Sequence, residues 1–397
     1  MQADFLWFDI NRERGFLKKN NNLSELPDLS DFNQALNKLV STLPSLIQHS
    51  LLSKEIEQLE DSFLKESIAI DKDDIEQNNI AILVLEMLTQ AYIWENPENP
   101  RNQIPTIIAQ NLYGLCRAQQ RFPILTYADY ILNNWKLINP LGDISLDNIE
   151  PLFTFTDTVD EAWFIKIHIM VEAVCAEALT AAYQLCVLTH EPKITDIAET
   201  QMYNSLNVIA DCLQKGSIIL EKMLDACDPA VYWHQIRIFL NGWEKVKVND
   251  KVGVILNGIS TADKVSVFQF KGPSGAQSGI LPALDAVLGV KHDIDGMYQM
   301  LLTFQQYMPG SHQLFINFLK QSKIEAKVSS ISVELHNAWK NAVDHLQQFR
   351  KTHLQLIKHY IYQPAESLGM RSESMTGTGG APIDNYLKNR YENTVTE

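Results

Sequence analysis

The chain is 397 residues long, with 46% hydrophobic and 20% charged residues, an ordinary balance for a globular chain with a sizeable core. Its formal net charge of −15 argues against a general nucleic-acid or anionic-membrane partner, because both demand a basic face, and no basic stretch interleaved with aromatics compensates. The five cysteines (Cys116, Cys175, Cys186, Cys212 and Cys227) are odd in number and never spaced CxxC. They fit a reducing cytoplasm and neither a disulfide framework nor a zinc site.

The first residues, "MQADFLWFDINRERGFLKK", show no charged region followed by an apolar one, so no signal peptide is expected. "DFNQALNKLVSTLPSLIQHS" and "SKEIEQLEDSFLKESI" have apolar residues recurring at three and four, which predicts amphipathic helices. "NNIAILVLEMLTQAYIW" is apolar around more of its circumference and should be a central helix. "ILTYADYILNNWKL" reads as another helix, ending before "NPLGD". The polar, turn-rich stretch from Asn139 to Asp160 is the best boundary, dividing a small N-terminal helical domain (1–153) from a larger helical domain (154–397).

A long helix is then expected from about Asp160 to Leu188. It is apolar, but His168, Glu172 and Glu177 make it a buried helix, not a membrane span. "TQMYNSLNVIADCLQKGSIILEKML" follows. A shorter helix opens at "DPAVYWHQIRIFLNGW", with Asp228 suited to the N-cap and Pro229 to the first turn. "VGVILNGIS" and "VSVFQFKGPSGAQSG" look extended and glycine-punctuated, a linker with one small hairpin. Helix resumes at "ILPALDAVLGV", "DGMYQMLLTFQQYM", "HQLFINFLKQS" and a long run that Pro364 should stop. A loop rich in glycine, serine and threonine precedes a short last helix. The pattern is all-α.

No Walker loop, GxGxxG after a strand, GxSxG elbow or HExxH is present. "GPSGAQSG" and "GTGGAP" are weak signals, each more often a loop needing positive φ than a phosphate cradle. What remains open is a cofactor held between helices. His353 sits on an apolar face with Ile357, Tyr360 and Ile361; it reads either as a core histidine bonded to a backbone carbonyl or as a metal or haem ligand. His168 lies on the apolar face of the long helix. Arg237, between Ile236 and Ile238, needs an anionic partner, either a structural acid or a bound carboxylate. Arg350, one turn before His353, could meet a cofactor carboxylate or simply be an exposed helix charge.

"TYADYILNNW", "VYWHQIRIFLNGW", "GPSGAQSG…LDAVLG", "YMPGSH", "FRKTHLQLIKHYI" and "GTGGAPIDNYL" occur in one order, with "FDINRERGFL" and "LPSLIQHSLL" before them. Together they resemble the indoleamine 2,3-dioxygenase family nearly end to end. That resemblance implies an all-α fold whose large C-terminal bundle encloses haem b, ferrous when active. It also implies insertion of both atoms of O2 across the indole C2=C3 bond of L-tryptophan, or a related indoleamine, to give N-formylkynurenine. His353 matches the proximal haem ligand, with Arg350 and Asp285 near the haem on that side. Arg237 matches the arginine that pairs with the substrate carboxylate. Phe164 and Tyr232 match aromatic positions beside the indole, and Tyr127 and Tyr130 the inner pocket, where a larger side chain at Tyr130 implies a tighter fit. Ser274 and Gly275 match the loop over the haem. Thr378, Gly379 and Gly380 match a mobile closing loop within 365–381, where Ala381 replaces a common threonine.

The main departure is His168, which stands where animal members carry a distal serine; related tryptophan 2,3-dioxygenases use a distal histidine on the indole N–H. His168 is therefore the candidate catalytic residue, facing substrate or O2, unless it is a buried histidine with a backbone partner. Two alternatives accompany this reading: an O2-binding haem protein without turnover, and a dioxygenase for another indole. The resemblance implies a cytoplasmic monomer, whereas a distal histidine is a feature of tetrameric relatives.

Overall fold

The computed structural model describes residues 8, 10–19, 23–27, 30–69, 74–261, 264–292 and 296–369. Thr378, Gly379, Gly380, Ala381 and the expected last helix lie outside the described residues. Helices dominate, as the periodicity predicts. Asp31–Ser41 begins at Ser30, whose Oγ accepts the Asn33 N–H at 3.1 Å, and it turns Phe32, Leu36, Leu39 and Val40 inward. Ile75–Trp94, capped by Asp74 on the Gln77 N–H, is buried at every position from Ile80 to Trp94 and is the central helix expected.

The segment after Pro123 differs from its predicted helix. It forms a π-helical turn, Ala128–Asn133, and then a strand, Trp135–Leu137, antiparallel to Ile149–Pro151. Buried side-chain bonds favour this path. Asn134 accepts the Phe153 N–H at 2.9 Å and donates to the Phe153 carbonyl at 2.8 Å, extending the pairing beyond the strands. The expected hairpin near residue 260 is present as Val254–Thr261 and Lys264–Phe268, and a short strand that the pattern missed, Gln103–Ile104, runs parallel to its first arm.

The long helix predicted over 160–188 is broken at Cys175 into Val159–Val174 and Ala176–Leu188. Its start is doubly tied: Thr158 accepts the Glu161 N–H at 3.3 Å while the Glu161 carboxylate accepts the N–H groups of Phe155 and Thr156 in the preceding turn. Asp228 caps the next short helix as expected, accepting from Ala230 N–H at 2.7 Å. Pro364 does not stop the last long helix. Val333–Ile357 runs into a π-helical turn, Lys358–Tyr362, and Pro364 then sits in the first turn of Gln363–Ser367, where its missing N–H costs nothing.

The most extensive helix pairing is Val333–Ile357 along Asp196–Glu221. Gly216 permits it, since a Cβ there would stand 3.0 Å from Phe349 Cε2. Ile280–Leu288 ends at Gly289 in the left-handed region (φ +76°), which glycine adopts without strain. In "GPSGAQSG", by contrast, no glycine has positive φ. Gly272 is needed for close approach instead: a Cβ there would lie 2.2 Å from the Leu240 carbonyl.

Two glycine substitutions separate these effects. Gly216→Leu should destabilise the fold by about 1–3 kcal/mol through overpacking against Phe349. Gly114→Ala, inside Thr106–Ala118 with open space around its Cβ position, should stabilise by about 0.5–1 kcal/mol. Denaturant unfolding of both variants measures the contrast.

Candidate functional site

Three π-helical turns converge on one cavity. Tyr130 and Ile131 come from Ala128–Asn133, Tyr232 from Tyr232–Ile236, and Tyr360 and Ile361 from Lys358–Tyr362. Such turns are rare in globular proteins and concentrate at functional sites, because the extra residue re-aims side chains that a regular helix would turn elsewhere. The Val159–Val174 helix contributes Phe164 and His168, the Val333–Ile357 helix contributes His353, Leu356 and Ile357, and the loop after Gly272 contributes Pro273, Ser274, Gly275 and Ala276.

The lining is mostly apolar and aromatic. Phe164 stacks on Tyr232 at 5.1 Å between centroids and meets His168 in a tilted contact at 4.4 Å, and Tyr232 meets Tyr360 edge-on at 5.5 Å. Two of the buried phenols are anchored outside the cavity. Tyr130 donates to Glu161 Oε1 at 2.8 Å, and Tyr360 donates to the Cys227 carbonyl at 2.6 Å. The aromatic wall is thus rigid, its polar ends tied back into the protein.

The two histidines differ in a way the sequence could not reveal. Nδ1 of His168 lies 2.8 Å from the Phe164 carbonyl, one turn back on its own helix. A carbonyl only accepts, so Nδ1 carries the proton and Nε2 of the neutral ring is an acceptor. Burial holds the His168 pKa below the usual imidazole range, which keeps the ring neutral. His353 has no ring hydrogen bond among the described residues. Burial, with His168 adding to it electrostatically across the cavity, lowers its pKa to about 4. His353 is thus a neutral imidazole turned into the cavity, with no backbone partner among the described residues.

Of the residues singled out from sequence, Tyr127, Tyr130, Phe164, His168, Tyr232, Ser274, Gly275 and His353 line this cavity. Asp285 and Arg350 do not line it. They pair behind it, with Arg350 Nη2 at 2.6 Å from both Asp285 oxygens, so Arg350 is a buried ion-pair member and not an exposed charge. His292, which the sequence reading passed over, adds its Nε2 to Asp285 Oδ2 at 2.9 Å. Burial alone would raise the Asp285 pKa, but Arg350 and His292 outweigh it and hold the carboxyl below its usual range.

Arg237 also lies off the cavity lining. It opens the turn Arg237–Leu240 directly after Tyr232–Ile236, its guanidinium packed over the Trp233 ring at 4.6 Å and within electrostatic reach of Tyr232. Burial lowers its pKa, with Tyr232 opposing. Glu172, which in the sequence stands only as a charge on a buried helix, lies one turn past His168, is 1% exposed and accepts from Tyr127 at 3.0 Å. Its signal was the i+4 spacing of an acid from His168 on an apolar helix face.

The depressed Asp285 pKa has a direct consequence for stability. The carboxylate stabilises the fold above the unfolded carboxyl pKa of about 4 and loses that contribution as pH falls through its lower folded value. Asp285→Asn should therefore be markedly less stable than the parent at neutral pH, with the gap narrowing in acid. Urea unfolding at neutral and acidic pH compares the two.

Known proteins resemble the chain over almost its whole length. A sequence profile described as indoleamine 2,3-dioxygenase matches residues 5–397. Indoleamine 2,3-dioxygenase 1 of Rattus norvegicus is 29% identical over 394 residues, covering 94% of this chain and 90% of the relative. Indoleamine 2,3-dioxygenase acdA of Aspergillus candidus is 28% identical over 335 residues, covering 79% of each. Indoleamine 2,3-dioxygenase of Saccharomyces cerevisiae is 27% identical over 400 residues, covering 90% of this chain and 86% of the relative.

Proposed function

The chain belongs to the indoleamine 2,3-dioxygenase family, and from that premise we propose that its cavity holds haem b on His353 and presents L-tryptophan, or a related indoleamine, to His168. The protein is a dioxygenase, an enzyme of a haem-dependent family. The observation that carries the site assignment is the pair of neutral imidazoles facing one apolar cavity, of which only His168 is tied to a carbonyl.

The residues present fit a haem. Among the described residues, no three His, Cys, Asp or Glu side chains come together as a metal site. A metal that brings its other ligands with it, as iron does in haem, fits a single histidine at that position. The aromatic and aliphatic walls suit a porphyrin, and family resemblance assigns Arg350, paired with Asp285 behind the cavity and one turn before His353, to the haem's proximal side. When bound, haem in its ferrous form supplies the O2 chemistry that places both oxygen atoms across the indole C2=C3 bond.

The chain's own residues then orient the substrate. Phe164 and Tyr232 hold the indole ring by stacking. His168 presents the Nε2 lone pair, which accepts the indole N–H and has no proton to give to O2. That tautomer favours the enzyme over an O2 carrier, whose distal histidine would need a donor. Arg237 offers two charge-assisted hydrogen bonds to the substrate carboxylate, with Trp233 holding the guanidinium flat. Thr378 and Gly379 remain assigned to the substrate's amino-acid end by family resemblance.

The test is to reduce the haem-loaded protein, add L-tryptophan and O2, and follow N-formylkynurenine beside the Soret band. Product in many-fold excess over haem is expected; a stable oxy spectrum with no product from any indole would overturn the reading. His353→Ala should lose haem on gel filtration, and full retention would contradict its role. Arg237→Ala should raise KM for L-tryptophan about 10- to 100-fold, the cost of one charged hydrogen-bonding group, and an unchanged KM would remove it from the site.

A further inference from the structure

Glu172 joins three elements around the cavity without lining it. Its Oε1 accepts the Tyr127 hydroxyl at 3.0 Å and the Ser278 hydroxyl at 2.8 Å. Tyr127 immediately precedes the π-helical turn Ala128–Asn133, and its ring meets His168 edge-on at 6.1 Å. Ser278 closes the loop whose Ser274, Gly275 and Ala276 line the cavity, and its Oγ also accepts the Ile280 N–H that begins the Asp285 helix. Gln277 makes a second tie between the same parts, accepting the Tyr127 N–H at 2.9 Å and donating to the Gly272 carbonyl at 3.0 Å. Glu172 Oε2 is buried with no hydrogen-bond partner among the described residues.

We propose that Glu172 is a positioning residue of the reaction, a buried latch that holds Tyr127 and the 272–278 loop in place against the cavity. This inference rests on the reading that haem and substrate occupy that cavity. The latch is titratable: burial raises the Glu172 pKa to about 7, with the Ser278 and Tyr127 bonds opposing. As a carboxylate it receives two charge-assisted hydrogen bonds, roughly twice as strong as the neutral pair it receives as an acid. The latch therefore tightens as pH rises through the neutral range.

The neighbouring titratable groups do not change charge there. Tyr127, and Cys175 on the same helix with Cys212 beyond it, are all raised by burial and stay neutral. His168, one turn earlier, is shifted down and is also neutral. The loop brings only the Ser278 hydroxyl.

The test reads the C–O stretch of the ferrous CO complex, which has no titrating water on the iron, and the Soret-detected affinity for L-tryptophan across the neutral range. A transition with midpoint near 7 is expected in both. Glu172→Gln keeps an acceptor oxygen but cannot ionise, so the transition should vanish while haem is retained. Ser278→Ala removes one bond that favours the carboxylate and should move the midpoint up. A transition that persists in Glu172→Gln, or a midpoint unmoved by Ser278→Ala, would overturn the proposal, and the second variant serves if the first does not fold. The infrared carbonyl band of a protonated buried carboxyl, missing from Glu172→Gln, follows the same titration with or without haem. A protein that takes up no haem would thus defeat the cavity reading separately from the latch.

Discussion

The packing of Val333–Ile357 along Asp196–Glu221 is the contact on which the site depends. Gly216 lets the Phe349 ring close on the partner helix, and that fixes the rotation of everything after it. Arg350 and His353 are three residues apart, about 60° around the helix. With Phe349 seated, one of them reaches back to Asp285 while the other faces the cavity. A rotation of the helix by a third of a turn would separate the imidazole from the cavity and the guanidinium from its carboxylate together.

Around that helix most buried polar groups are paired, since a buried donor or acceptor left unmet costs more than a bond contributes, although Thr352 Oγ1, His292 Nδ1 and Glu172 Oε2 have no partner among the described residues. The tyrosines show the pairing: Tyr127 is tied to Glu172, Tyr130 to Glu161 and Tyr360 to the Cys227 carbonyl. His168 is tied at one nitrogen only, which both orients the ring and decides which atom faces the cavity. His353 presents its ring to the cavity with no ring hydrogen bond among the described residues.

The charges are arranged to match. The ion pair of Arg350 and Asp285, with His292 beside it, keeps a cation and its counter-ion behind the His353 side. The opposite side carries neutral groups, His168 and Tyr127. Arg237, next to Tyr232 and packed on Trp233, stands outside the lining, where a charged amino-acid end can be met without dragging a guanidinium into the apolar interior.

Periodicity made the helices legible, and turn chemistry made their starts legible: the Asp228–Pro229 cap and the central position of Ile75–Trp94 follow from side chains a few residues apart. Family resemblance in ordered motifs brought out eight of the cavity's lining residues, including both histidines. What the sequence could not contain was anything set by distant partners. The strand at Trp135–Leu137 exists because Ile149–Pro151 pairs with it, the break at Cys175 and the three π-helical turns are imposed where helices pack, and Gly272 is needed because the Leu240 carbonyl comes close. That Glu172 joins Tyr127 to Ser278 is a fact about atoms up to 106 residues apart in the chain. Local pattern determines which face of each helix is apolar; only the packed structure decides which polar atoms on that face find partners and which are left for a ligand.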